Sequence, residues 1–221
     1  MYIIFDTETT GLPTERNPSI MDKHKWPHVV QLSYILFDTE TKKVLILRND
    51  FIKIPSNVVI TPESEKIHHI SQEVCETFGI NIIDALNDFN NNLMKADLIV
   101  GHNIAFDKQL LMVECMRNKI TQKFTVNGSR KKEYCTMKNG SEICKILKTS
   151  NAGQTYFKYP TLTELHVKLF ETTPNGAHDA LVDVLICLHC YLKILDDYDF
   201  MIESDSPRSD LKILYEKNNV C

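Results

Sequence analysis

Residues 1–11, MYIIFDTETTG, decide how this chain folds. Tyr2 to Phe5 form a short apolar run that meets an acid at Asp6, the pattern of a buried strand delivering a carboxylate at its tip. Side chains alternate along a strand, so Asp6 and Glu8 share one face while Thr7 points to the other. Two carboxylates forced together repel unless a cation stands between them, and oxygen ligands of this kind suit Mg2+ or Mn2+. The alternative is a solvated turn that happens to carry two surface acids.

A polar stretch follows from Pro13 to His28, with prolines at 13, 18 and 27 and the only tryptophan, Trp26. It reads as a long loop, in which Trp26 is either a packing anchor or a surface on which a base could stack. VVQLSYILFD (29–38) and VLILRNDFIKI (44–54) are β-rich runs separated by the polar TETKK. They predict a hairpin, so that the first three strands form an antiparallel meander.

From Thr61 the pattern turns helical. T-P-E-S places a proline and an acid in a first helical turn, and residues 81–95 carry Ile82, Ile83, Leu86, Phe89 and Leu93 at a helical period. DLIVGHN (97–103) is again a short strand, and 104–118 set Ala105, Phe106, Leu110, Leu111 and Cys115 along one helix face. Residues 117–138 are basic and polar, with Asn127-Gly128 as a turn tip and EYCTM (133–137) as a fifth strand. Helices are expected at 161–170 and 178–196, separated by TPNGA.

Residues 1–200 therefore read as one α/β domain. Its mixed five-stranded sheet has three antiparallel strands followed by two parallel ones, flanked by helices. Residues 201–221 read as a polar C-terminal tail, loosely docked and carrying Ser204-Asp205-Ser206-Pro207.

Composition bounds the function. A chain of 221 residues suffices for one sizeable core, and 43% hydrophobic with 24% charged residues is ordinary for a globular protein. No apolar run is long enough to cross a bilayer. The N-terminus has no basic lead and its apolar stretch is broken by Asp6, so an intracellular location without a secretion signal is expected, cytoplasmic or nuclear. Seven scattered cysteines read as free thiols in a reducing compartment. Cys187 and Cys190 lie in an apolar helical segment without a second ligand pair, which argues against zinc. The net charge of −4 argues against a general cationic nucleic-acid binder. It leaves room for an enzyme that grips one strand end through metal ions.

Three further groups join the first acid pair. Asp107, in GHNIAFD, falls about one turn into the helix after the fourth strand, and ligands of open α/β sheets collect beyond the carboxyl ends of the strands. It is otherwise a helix-start acid favoured by the macrodipole. In AHDALVDVLI, Asp183 interrupts the apolar face of Leu181, Val184, Leu185 and Leu188, and a buried carboxylate needs a partner. Five residues rotate a helix by about 140°, so His178 is expected at the turn leading into the helix rather than beside Asp183 within it. A histidine near four carboxylates reads as an acid/base group.

FDTETTGLP, GHNIAFDKQLL and HDALVD, in this order, resemble the three motifs of the DnaQ-like (DEDDh) 3′→5′ exonucleases, a family with a ribonuclease H-like fold. The resemblance spans roughly residues 2 to 195. His178 stands five residues before Asp183; the sister group has tyrosine four residues before, where this chain has Asp179. The resemblance implies hydrolysis of a nucleic-acid 3′ end to nucleoside 5′-monophosphates with two Mg2+ or Mn2+ ions. Asp6, Glu8 and Asp183 would hold one ion, Asp6 and Asp107 the second, and His178 would take a proton from the attacking water. His102 and Asn103 would shape the strand-to-helix turn.

By the same resemblance, Thr9, Leu12, Ile67 and His68 would contact the terminal nucleotide; His69 stands where the family usually has glycine. DNA is the expected substrate, in proofreading or repair. An exoribonuclease that trims RNA and a catalytically silent binding module are the alternatives. A proofreading role would need a separate polymerase. Arg130, Lys131 and Lys132 are a candidate phosphate track, or simply a solvated loop.

Overall fold

Strand β1 (Tyr2–Thr9) is the middle strand of a five-stranded sheet in the computed structural model, which describes residues 1–202 and 210–220. It pairs antiparallel with β2 (Val29–Asp38), which pairs antiparallel with β3 (Lys43–Phe51). Nine consecutive residues of β2 are buried, because helices cover both faces of the sheet there.

Three helices follow. Thr61 caps α1 (Pro62–His68), which carries its proline in the first turn, and α2 (Gln72–Phe78) and α3 (Ile82–Lys95) come next. Strand β4 (Leu98–Gly101) then pairs parallel with β1 and leads into α4 (Ile104–Arg117). A small hairpin, β5 (Thr125–Val126) and β6 (Ser129–Arg130), turns at Asn127 and Gly128, both with positive φ. Strand β7 (Lys132–Cys135) completes the sheet parallel to β4, giving the order β3-β2-β1-β4-β7. The expected arrangement, three antiparallel strands followed by two parallel ones with helices on both faces, is the one observed.

After β7 come α5 (Thr136–Cys144), a second hairpin of β8 (Leu147–Thr149) and β9 (Thr155–Phe157), then α6 (Leu162–Phe170), α7 (Ala180–Asp196) and α8 (Asp210–Lys217). Alternation along β1 divides the core. Ile3 and Phe5 pack with Leu86 and Phe89 of α3 and Leu110 of α4; Ile4 packs on the other face with Leu165 of α6 and Leu185 of α7. No helix of the described residues is long and apolar enough to cross a membrane.

The structure departs from the sequence reading in four places. Thr136 and Met137, read as the end of the fifth strand, open α5 instead. The β8–β9 hairpin has strands of three residues, exposed on both faces, so no hydrophobic alternation announced it. The described part of the tail is docked: Leu211, Tyr215 and Val220 are buried against α7's layer. These apolar side chains, with the Tyr215 hydroxyl on His189 Nδ1 and the Val220 carbonyl on the Asn175 N–H, hold it. Ser204-Asp205-Ser206-Pro207 lies outside the described residues. Arg130, Lys131 and Lys132 sit at the far end of the sheet from Asp6: Lys132 is level with Leu98, and Leu98 with Tyr2. Four residues of strand separate that level from Asp6, about 13 Å. This stretch is no track into the acid cluster.

Candidate active site

Asp6 and Glu8 lie on the face of β1 that meets α7, and Asp183 is in the first turn of that helix. One carboxylate oxygen from each of the three falls within 4.8 Å of the others. Opposite ligands of an Mg2+ octahedron stand about 4.2 Å apart, so a modest closure of the three would seat one hard cation. The donors are all carboxylate oxygens, the set that such an ion prefers.

Asp107 reaches the same rim from the opposite layer. Thr7 faces α4, and its hydroxyl donates to Asp107 Oδ1 at 2.6 Å, fixing this buried carboxylate beside the strand. Thr7 is a positioning residue that the motif reading missed; a partner a hundred residues away leaves no local signal.

The four acids perturb one another. Burial, then the charges of Asp107, Asp183 and Glu8, hold Asp6 well above the usual carboxylate range. Burial and the charges of Asp183 and Asp107 push Glu8 up to about 9. Asp183 rises to about 7, chiefly through burial, against a backbone N–H from His178 that favours its charged form. Asp107 rises to about 6 through burial, opposed by the Thr7 hydroxyl. A shared divalent cation is the species that would bring all four back to the ionised form.

His178 occupies the turn before α7 with φ of 76°, its side chain exposed and its N–H donating to Asp183 Oδ2 at 3.3 Å. Asp179 caps α7, its Oδ1 accepting from the N–H groups of Leu181 and Val182. Buried Gln31 locks this turn to the sheet: its Nε2 donates to Asp179 Oδ2 at 3.2 Å, and its Oε1 accepts the Ala180 N–H at 3.1 Å. Gln31 lies opposite Glu8 in the β1–β2 register. It too was invisible to motif reading.

A cavity of about 470 Å3 opens beside Glu8, walled by Thr9, Leu12, Ile67, His68, Thr61 and Phe106 among others. It thus gathers the four residues expected to contact a terminal nucleotide. A bulge between Glu8 and Thr9 ends the regular pairing and turns the chain outward here. Leu12 is 84% exposed and Ile67 51%, so two apolar side chains stand free at the mouth. His68 is different. Its Nε2–H donates to the Thr9 carbonyl at 3.1 Å, and its Nδ1 accepts the Ile70 N–H at 3.0 Å. With both nitrogens engaged, the ring braces the pocket wall.

His69 closes α1 in the left-handed conformation, with φ of 59°, which explains why glycine is at home at this position. His102 is clamped between Thr136 Oγ1 (3.0 Å) and the Pro160 carbonyl (3.1 Å), and burial pushes it down to about 4. Asn103 starts α4 with φ of 60°. Both shape the strand-to-helix turn. Trp26 is buried beside Phe106, its indole N–H donating to the Ser19 carbonyl, so it anchors the 13–28 loop.

The exonuclease family described as RNase_T matches residues 3–191. Escherichia coli Exonuclease I in complex with a dT13 oligonucleotide is similar in structure, with a TM-score of 0.64 and 18% identity; the match covers 89% of this chain and 42% of that one. A moderately thermophilic Exonuclease I from Methylocaldum szegediense gives 0.61 and 19%, over 89% and 41%. The chain thus spans about two-fifths of the length of these structures. No curated protein matches it.

Proposed function

The chain belongs to the RNase_T exonuclease family, and on that premise we propose that it is a metal-dependent 3′→5′ exonuclease acting on DNA. The observation that carries this reading is the convergence of Asp6, Glu8 and Asp183 within one ion's reach, with Asp107 at the same rim and a nucleotide-sized cavity alongside. Solved relatives in complex with DNA oligonucleotides favour DNA as the substrate.

Asp6, Glu8 and Asp183 would hold one Mg2+ or Mn2+, with Asp107 and Asp6 serving a second. When bound, such a pair supplies charge stabilisation to the attacking and leaving oxygens of an in-line displacement. The chain's own residues do the rest. The cavity beside Glu8 takes the terminal nucleotide, with Leu12 and Ile67 against its apolar faces and the Thr9 segment beside its sugar. His178, exposed on its turn and tethered through its backbone to Asp183, accepts the proton of the attacking water. Water attacks the terminal phosphorus, the bond to the penultimate 3′ oxygen breaks, and a nucleoside 5′-monophosphate leaves. A partner polymerase forms no part of this proposal.

The test uses 5′-labelled single- and double-stranded DNA and RNA with the intact protein. Laddering of DNA from the 3′ end with Mg2+, lost in chelator, is the expected result. Laddering of RNA alone would move the substrate without changing the chemistry. Internal cleavage, or digestion that continues in chelator, would sink the proposal, and so would turnover by an Asp6→Ala variant at the parent rate.

A further inference from the structure

The feature that the catalytic reading leaves unexplained is the β8–β9 hairpin. From Lys145 to Tyr159 the chain carries Lys145, Lys148 and Lys158 with Tyr156, Phe157 and Tyr159, and no acidic residue, within a protein of net charge −4. Leu147 is 69% exposed and Tyr156 48%, although in register Leu147 faces Phe157 and Lys148 faces Tyr156. Apolar or aromatic side chains thus stand in solvent on both faces of the ribbon. A two-stranded hairpin with neither face covered is marginal in water, so such exposure needs a reason.

Its position supplies one. The hairpin returns to the body at Pro160, whose carbonyl is bound by His102 at 3.1 Å. His102 follows Gly101 at the end of β4, the strand next to β1. Ile4 is level with Val100, so the turn at His102 lies beyond the carboxyl end of β4, on the side toward which β1 carries Asp6. The terminal-nucleotide cavity lies on the other side, where β1 runs on to Thr9 and Leu12. A strand whose 3′ end fills that cavity therefore leaves the acid cluster with the hairpin as a neighbour at the same rim.

We propose that the β8–β9 hairpin is a stacking and phosphate-binding platform for the single strand upstream of the scissile bond, with Tyr156 meeting a base and Lys148, on the same face of the ribbon, meeting phosphate. This rests on the nuclease reading and extends it to the rest of the substrate. Aromatic faces interleaved with lysines suit a single strand of any sequence, because every base offers a π face and every step a charge. Lys158 is held by Glu164 at 2.6 Å and orients the ribbon's base. Lys148 is the exposed cation opposite Tyr156.

The experiment compares the parent with Tyr156→Ala and with Lys148→Ala, on a dinucleotide and on an oligothymidylate about twenty nucleotides long. Tyr156→Ala should raise KM for the long strand roughly fivefold or more, leaving kcat and the dinucleotide unchanged. Lys148→Ala should flatten the salt dependence of long-strand binding by about 0.7 in log–log slope. Tyr156→Trp should keep the long-strand KM at the parent value, which separates stacking from a general disturbance of the fold. An unaltered long-strand KM in Tyr156→Ala overturns the platform while leaving the nuclease intact. Equal loss on both substrates, without rescue by tryptophan, overturns it as well. Should the parent digest nothing, binding of the labelled long strand in chelator still decides: loss of binding in the variants supports the platform, and unchanged binding ends it.

Discussion

At the rim, Asp6, Glu8, Asp107 and Asp183 are four buried or half-buried carboxyls, all held above the usual range by burial first and, for Asp6, Glu8 and Asp183, by neighbouring carboxylates as well. Six residues further along α7, about 9 Å, His189 is also buried but lives among complements. Its Nε2–H donates to Asp199 Oδ1 at 3.0 Å, its Nδ1 accepts from the Tyr215 hydroxyl at 3.1 Å, and Phe170 stacks on the ring at 3.8 Å. Burial pushes His189 down to about 4, against the pull of Asp199, so the neutral tautomer satisfies both neighbours at once. One cluster is complete within the chain and fastens α8 to the core. In the proposed function the other is completed by added cations. Buried polar groups that are paired serve stability, and a buried like-charge group is tolerated where a ligand supplies the missing charge.

The largest test breaks the rim itself. Asp6→Ala or Asp183→Ala should lower turnover by at least about a thousandfold, since each removes a ligand to charge stabilisation worth several kcal/mol. Steady-state rates on a labelled single strand measure it, and a loss under tenfold would detach these acids from the chemistry. His178→Ala should cost about 10²- to 10⁴-fold in kcat, the usual worth of a general base, with metal binding retained by calorimetry. Loss of metal binding instead would make His178 a scaffold for Asp183.

Breaking the paired cluster should leave a different signature. His189→Leu removes the hydrogen bonds that join the ring to Asp199 and to the Tyr215 hydroxyl, and should destabilise by about 2 to 4 kcal/mol in denaturant melts. The metal response of the rim should survive unchanged. A variant that lost stability and metal response together would show the two clusters to be coupled through α7.

The pH dependence sharpens the contrast. Carboxyls raised in the folded state bind protons that the unfolded chain has already released, so for them stability is fully present below the ordinary values of 3.8 to 4.5. It is then lost as pH climbs through the folded values of about 6 for Asp107, about 7 for Asp183 and about 9 for Glu8. The metal-free protein should therefore melt lower at about pH 8 than at about pH 5. Millimolar Mn2+ should recover most of the difference at the higher pH, by binding the folded state alone. A flat metal-free profile would mean that burial and neighbouring charge do not hold these carboxyls above their ordinary range.

The two clusters also differ in how far the sequence announces them. Asp6, Glu8, Asp107, His178 and Asp183 sit in short motifs at strand tips and helix starts, so their convergence at one rim could be read from those motifs. The β2 and α4 spans were legible for a similar reason, β2 as an apolar run and α4 by apolar residues at a helical period. Thr7, Gln31 and the bracing role of His68 were not, because each acts through a partner 59 or more residues away. The His189 cluster was hidden likewise: a histidine within an apolar helix looks like its neighbours until the tail folds back. The hairpin at 147–157 escaped because exposed strands of three residues carry no period at all.

The smallest effect separates two kinds of strain at the rim. His69, Asn103 and His178 all border the site with φ between 59° and 76°, so conformational strain accompanies electrostatic strain there. His69→Gly removes the left-handed penalty at one of these positions, while glycine's extra freedom in the unfolded chain takes part of the gain back; the net should be a stabilisation of about 0.5 to 1 kcal/mol. For a chain of this length that is a rise of about 2 to 4 °C in Tm per kcal/mol. The decisive reading is its pH dependence. Backbone relief is indifferent to protonation, so the gain should be equal at low and high pH and should leave the Mn2+ response untouched. A gain confined to high pH would mean that the α1 terminus gives way to the crowded acids through His68 and Thr9. The rim's two strains would then be one.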